Sequence, residues 1–131
     1  MPTTVFDPAG SPVITYNRDG VTVQNMVGGT ADTFAAAVAI VRYSQVTIVV
    51  VSSPNSTEDP SVLLPSNAEI GDVVEVYGDY TTPLGRVQPT TWAQTGDTIM
   101  RRSGAGISAA GARFTRVSST DWALMTSAST F

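Results

Sequence analysis

Six consecutive residues, Val46-Thr47-Ile48-Val49-Val50-Val51, are all branched at Cβ. Such side chains lose rotamer freedom in a helix and pack well on a pleated surface, so the run predicts a strand. It does not alternate between apolar and polar residues, and a strand apolar on both sides needs cover on both. A single half-solvated sheet would not provide that cover. The run therefore belongs either in a sandwich core with a second layer over it or at an interface between subunits.

Turn residues on either side of this run have the spacing of further strands. Val13-Ile14-Thr15-Tyr16 and Val21-Thr22-Val23-Gln24 flank Asn17-Arg18-Asp19-Gly20, and Asp-Gly supplies the positive φ angles of a hairpin turn. After the polar segment 52–60, strand-sized pieces follow at 61–64, 73–77, 85–88, 97–101, 106–108, 112–118 and 122–125. Short apolar pieces about ten residues apart, with turn residues between them, predict a β-sandwich or barrel. Phe114 and Val117 do not share a face in an ideal strand, which predicts a bulge or register change there.

One segment breaks the β pattern. After Gly28-Gly29, Thr30-Ala31-Asp32 has capping chemistry for a helix over 33–42, with Phe34, Val38 and Val41 on one face. The alternative is a strand over 36–41, because alanine carries little information once tertiary contacts act. Residues 1–12 hold Pro2, Pro8, Pro12 and Gly10, which favours an extended arm. The expected organisation is thus an arm, 1–12, and a single β-rich domain, 13–131. The expected fold is mainly β: an antiparallel sandwich or barrel-like domain with one short helix and the N-terminal arm.

The residues available for chemistry are few. The 131-residue chain has no His, Cys or Lys; its seven basic residues are all Arg, and the net charge is −4. A neutral-pH general base, a thiolate, a Schiff-base amine and the commonest metal ligand are all missing. An acidic chain also lacks the basic field that grips phosphate backbones, so no nucleic-acid partner is expected. Glycoside cleavage needs only two carboxylates, for which the candidates are Asp72, Glu75, Asp79 and Asp97. Three of these follow a glycine, where aspartate is favoured for its local hydrogen bonds. The reading is structural: no catalytic, cofactor-binding or metal-binding residue is assigned, and no enzyme activity or cofactor is expected.

Other suggestive spots take the same structural reading. Gly104-Ala105-Gly106 with Gly111 is followed by no P-loop lysine. Glu58-Asp59 lacks the alternating oxygen ligands of a calcium loop. In Arg101-Arg102, neighbouring strand residues point to opposite faces, so one of the two can pair with a carboxylate. Trp122 is expected to close the core from the last strand. Trp92, in a turn-rich segment, is expected as a half-buried lid or, if exposed, as a contact for a glycan or partner. Residues 1–7 lack the charged and apolar regions of a signal peptide, and no apolar run approaches the ~20 residues of a membrane helix. No membrane partner is expected, and assembly is expected in a cytoplasm.

The order of the motifs in 61–125 adds a resemblance. Val62-Leu63-Leu64-Pro65, Glu69-Ile70-Gly71-Asp72-Val73-Val74-Glu75-Val76-Tyr77, Gly96-Asp97-Thr98-Ile99, Ile107-Ser108-Ala109-Ala110-Gly111-Ala112-Arg113-Phe114 and Ser119-Thr120-Asp121-Trp122 together resemble a β-rich module of tailed-bacteriophage structural proteins. Such modules occur in head decoration or capsid-fibre proteins and at fibre tips. The resemblance covers about half the chain. It implies a non-enzymatic virion protein, commonly a homotrimer, on the head surface and bound to the major capsid protein. The alternative it implies is a receptor-binding fibre tip that engages a host glycan or protein.

Overall fold

The computed structural model of this chain describes residues 13–54, 59–81, 85–100, 102–103 and 106–126. The expected arm, 1–12, lies outside them. The strands are β1 (Val13–Arg18), β2 (Val21–Val27), β3 (Val38–Ala39), β4 (Val46–Ser52), β5 (Ser61–Leu63), β6 (Val73–Gly78) and β7 (Tyr80–Thr81). They continue as β8 (Gly85–Arg86), β9 (Thr90–Trp92), β10 (Thr98–Ile99), β11 (Arg102–Ser103), β12 (Gly106–Ser108), β13 (Gly111–Arg116) and β14 (Asp121–Thr126). A large sheet runs β1-β2-β4-β6-β13-β14-β10-β11, a smaller one runs β12-β9-β5-β3, and β7 pairs with β8.

The chain is mainly β, as expected, but its sheets are mixed and not antiparallel. β2, β4 and β6 are parallel neighbours in the large sheet, and β3, β5 and β9 are parallel neighbours in the small one. The backbone passes from one sheet to the other and back, giving three solenoid-like coils: β2–β3, β4–β5 and β6–β9. Val21, Val46 and Val73 stack in one column and Gln24, Val49 and Val76 in another, so equivalent positions recur roughly every 25 residues. Parallel neighbours must be joined by long crossovers, and here each crossover contains a strand of the opposite sheet. Antiparallel strands close both ends of the large sheet's parallel block, with β1 on β2 and β13 on β6.

The core lies between the two sheets. Val49, Val51, Val74, Val76, Phe114 and Trp122 from the large sheet meet Ile40, Val62 and Leu64 from the small-sheet side. Inward and outward residues alternate along β4: Thr47, Val49 and Val51 are buried, while Val46, Ile48 and Val50 face the other way and remain partly exposed. Hence the β-branched run has its second layer on one side only. The first coil is more polar inside. Thr22 and Gln24 are fully buried there; Thr22 Oγ1 shares a 2.6 Å hydrogen bond with Ser44 Oγ, and Gln24 Nε2 donates to the Val41 carbonyl at 2.9 Å.

Three local expectations are corrected. Among the described residues there is no helix: 33–37 makes two isolated turn bonds, Ala36 N–H to the Thr33 carbonyl and Ala37 N–H to that of Phe34, before β3. The alternative strand over 36–41 is closer, and Val38 pairs with Val62. The predicted bulge near Phe114 is also absent. β13 keeps regular register with both β6 and β14 and ends at Arg116, leaving Val117 exposed in the following turn. Finally, Trp92 is the last residue of strand β9 and not part of a turn.

Candidate functional site

Each described acid candidate sits in its own local setting. The Asp72 carboxylate is buried between elements. It accepts from Arg42 Nε at 2.5 Å and Nη2 at 3.1 Å, and from the Glu69 N–H at 2.8 Å. Gly71, at φ +97°, makes the turn that aims it inward. Asp97 follows Gly96, at φ +91°, and is held by Arg116 Nη1 at 3.0 Å. Arg116 is itself buried, donates to the Ser119 carbonyl and lies 5.1 Å over the Trp122 ring. Glu75 is on the outer face of the large sheet, 2.5 Å from the Tyr77 hydroxyl and 3.4 Å from Arg113 Nε. The Asp79 carbonyl accepts the Val87 N–H, fixing the segment that leads to β9.

The Asp72 and Asp97 carboxylates tie separate turns to the fold, and that of Glu75 pairs across the outer sheet face. Among the described residues, no group of three or more His, Cys, Asp or Glu converges. Of the other candidates, Glu58, Arg101, Gly104 and Ala105 lie outside the described residues. Asp59 Oδ1 accepts the Gln88 N–H at 3.0 Å, Gly106 pairs with Trp92 and Gly111 with Tyr77. Trp122 is fully buried, as expected. No helix among the described residues is long and apolar enough to cross a membrane.

Burial opposes ionisation of Asp72, but the Arg42 hydrogen bonds, the Glu69 N–H and the Arg42 charge outweigh it, so the carboxyl stays below its ordinary range. In turn, Asp72 holds the Arg42 guanidinium more firmly protonated. A carboxyl whose folded pKa is depressed contributes stability that is complete above its unfolded value near 4 and is lost as pH falls through the folded value. Removing one partner of a buried pair costs about 3–5 kcal/mol, and Arg42, with 23% of its side chain exposed, recovers part of that by hydration. Asp72→Asn is therefore expected to lose about 2–3 kcal/mol at neutral pH. In urea titrations from pH 7 to pH 2, its stability should converge on that of the wild type in acid. A gap that stays constant to pH 2 contradicts this role for the ion pair.

Two surfaces remain that the fold does not use up. The first is the outer face of the large sheet, where Val21, Val46 and Val73 form one row and Val23, Ile48, Glu75, Arg113 and Met125 another. Across β4, β6 and β13 the charges of those rows are Glu75 and Arg113, which pair with each other, and Arg18 of β1 stands beside Val21. No family model, curated protein or solved structure matches this chain. The reading of both surfaces therefore rests on their own chemistry. Hydrogen bonding to Glu75, together with burial, raises the pKa of Tyr77, which leaves its phenol neutral on this face.

The second surface is a cleft of about 240 Å³ lined by Phe34, Trp92, Ala93, Gln94, Thr95 and Asp97. The Phe34 and Trp92 rings meet edge to face, 6.1 Å between centroids and 86° apart. The sequence pointed to Trp92 but misassigned Phe34. Its helix would have turned Phe34 toward the core, whereas the turns at 33–37 leave it 43% exposed on the outer side of β9. No periodicity in the sequence carries that placement.

Proposed function

We propose that this chain is a virion structural subunit that works by assembly and not by catalysis: a head decoration protein that binds the major capsid protein from outside as a homotrimer. The observation that carries the reading is the outer face of β2, β4 and β6. Val21, Val23, Val46, Ile48, Val50 and Val73 are half-buried there and form a largely apolar surface, with Val27, 56% exposed, beyond the polar Asn25. Apolar sheet surface left without a covering layer marks a candidate interaction site. A second copy is the occupant this face suits, because its central charges, Glu75 and Arg113, already pair with each other and offer little to a strongly charged partner.

Size favours a ring over a dimer. With strands ~4.8 Å apart and ~3.3 Å per residue, the face from β2 to β14 has a flat footprint of roughly 400 Å². A standard interface buries about 800 Å² on each partner. In a threefold ring every subunit makes two contacts, one through this face and one through a second patch, so closure of the ring adds two small interfaces. The order of motifs in 61–125 agrees with such a protein. Binding only to the assembled shell would stabilise that shell by mass action.

Sedimentation is the test, with Ile48→Arg as the variant. The wild type is expected at three times the chain mass and to bind capsids lacking decoration. Ile48→Arg is expected as a folded monomer, with at least about tenfold weaker self-association, because it places an unpaired charge in the contact. A wild type that stays monomeric at tens of micromolar overturns the assembly reading. The alternative, a receptor-binding tip, draws its support from the Phe34–Trp92 cleft.

A further inference from the structure

We propose that the Phe34–Trp92 cleft binds one neutral sugar ring, with Trp92 as the platform under its C–H face. This does not depend on the assembly reading: a monomer that binds sugar and a trimer that does not are distinct results.

Trp92 is built as a rigid surface. Gly106 stands opposite it on β12, and a Cβ at that glycine would lie 2.7 Å from the indole ring atoms Cε2 and Cζ2. The ring therefore lies against bare backbone, as happens where an aromatic residue covers a glycine across strands. Phe34 sets a second apolar wall at a right angle to it. A rigid aromatic surface loses little entropy on binding, and the ring face attracts the polarised C–H groups of a sugar.

The polar groups choose among ligands. Asp97 contributes a carboxylate whose charge is already offset by Arg116 at 3.0 Å. That pairing leaves further lone pairs for ligand hydroxyls while removing the net field that would select a cation. Gln94 is fixed by its Nε2 hydrogen bond to the Leu64 carbonyl, 3.0 Å long, and Thr95 is exposed at the rim. Trp92 Nε1 is buried without a hydrogen-bond partner, and an unmet buried donor costs about 1–3 kcal/mol. Being buried, that donor stays shielded from the ligand, and recognition rests on the open ring face and the polar rim. At about 240 Å³ the cleft is below the ~300–1,000 Å³ of drug-sized sites, and so fits a single ring.

The chain holds two tryptophans, and this supplies an internal control. In ¹H–¹⁵N spectra of the intact protein, titration with glucose, galactose or N-acetylglucosamine is expected to shift the Trp92 indole signal saturably, with a Kd on the order of millimolar. The signal of Trp122, fully buried in the core, should not move. Phe34→Ala, in an exposed turn, should weaken binding about tenfold and Phe34→Tyr should restore it, while Trp92→Ala should abolish it. A Trp92 signal unmoved by all three sugars overturns the proposal. So does a stronger response to tetramethylammonium, which would make the cleft a cation site, or equal movement of both indoles.

Discussion

Gly78→Ala is expected to destabilise the protein by upwards of about 3 kcal/mol, beyond the usual range for overpacking, because the added methyl meets backbone that cannot rotate away. A Cβ at Gly78 would lie 1.7 Å from the Val87 carbonyl oxygen and 2.6 Å from its carbon. Val87 is fully buried, and its N–H bonds the Asp79 carbonyl at 2.9 Å, so both sides of the contact are fixed. Gly71→Ala is the matched control. A Cβ there has nothing within 4 Å, but the residue sits at φ +97°, so only backbone strain of about 1–2 kcal/mol is expected. Urea midpoints and soluble yield measure both. Equal losses at the two positions would mean that the close approach at Gly78 relaxes freely.

The second large effect is expected at Phe114. It is fully buried in β13, pairs with Val74 on one side and Leu124 on the other, and belongs to the core shared by both sheets. Phe114→Ala removes most of a ring from a site whose neighbours are strands locked in register, so the cavity cannot close fully. A loss of about 3–5 kcal/mol follows. Since small domains are stable by only about 5–15 kcal/mol, this variant should lose a large share of its stability at 25 °C. Phe34→Ala, on an exposed ring, should cost little beside it. Comparable denaturation midpoints for the two variants would contradict the placement of the core.

The strands were largely legible in the sequence because their signal is local. The β-branched run became β4, Asp19-Gly20 closed the β1–β2 hairpin with Gly20 at φ +74°, and Gly71 and Gly96 mark turns with positive φ. The pairing has no local signal, since parallel partners lie a whole coil apart. A trace of it exists: Val21-Thr22-Val23 stacks on Val46-Thr47-Ile48, residue on residue. A search for repeats of about 25 residues would have met that match.

The polar contacts were hidden for the same reason. Asp72 and Asp97 looked like turn punctuation, and they do sit at turns, but their arginine partners are 30 and 19 residues away. The helix over 33–42 failed because Val38 and Ile40 are drawn into the small sheet, where the Ile40 N–H bonds the Leu63 carbonyl at 2.8 Å. Tertiary pairing overrode a weak local preference. Phe34 was then left on the outside, on a cleft that no local pattern announces.

The antiparallel strand β1 has a consequence for growth. A stack of parallel coils is a one-dimensional lattice whose last rung is always ready to accept another like itself. By running against β2 through Ile14–Gln24 and Arg18–Val21 pairs, β1 breaks the translation that such polymerisation requires. The buried Thr22 and Gln24 beneath it, bonded to Ser44 and the Val41 carbonyl, make that end unlike the apolar coils behind it. The molecule is thus a short crystal in one dimension with a terminator at its first layer. At that edge of the large sheet a further parallel rung would meet a strand running the wrong way.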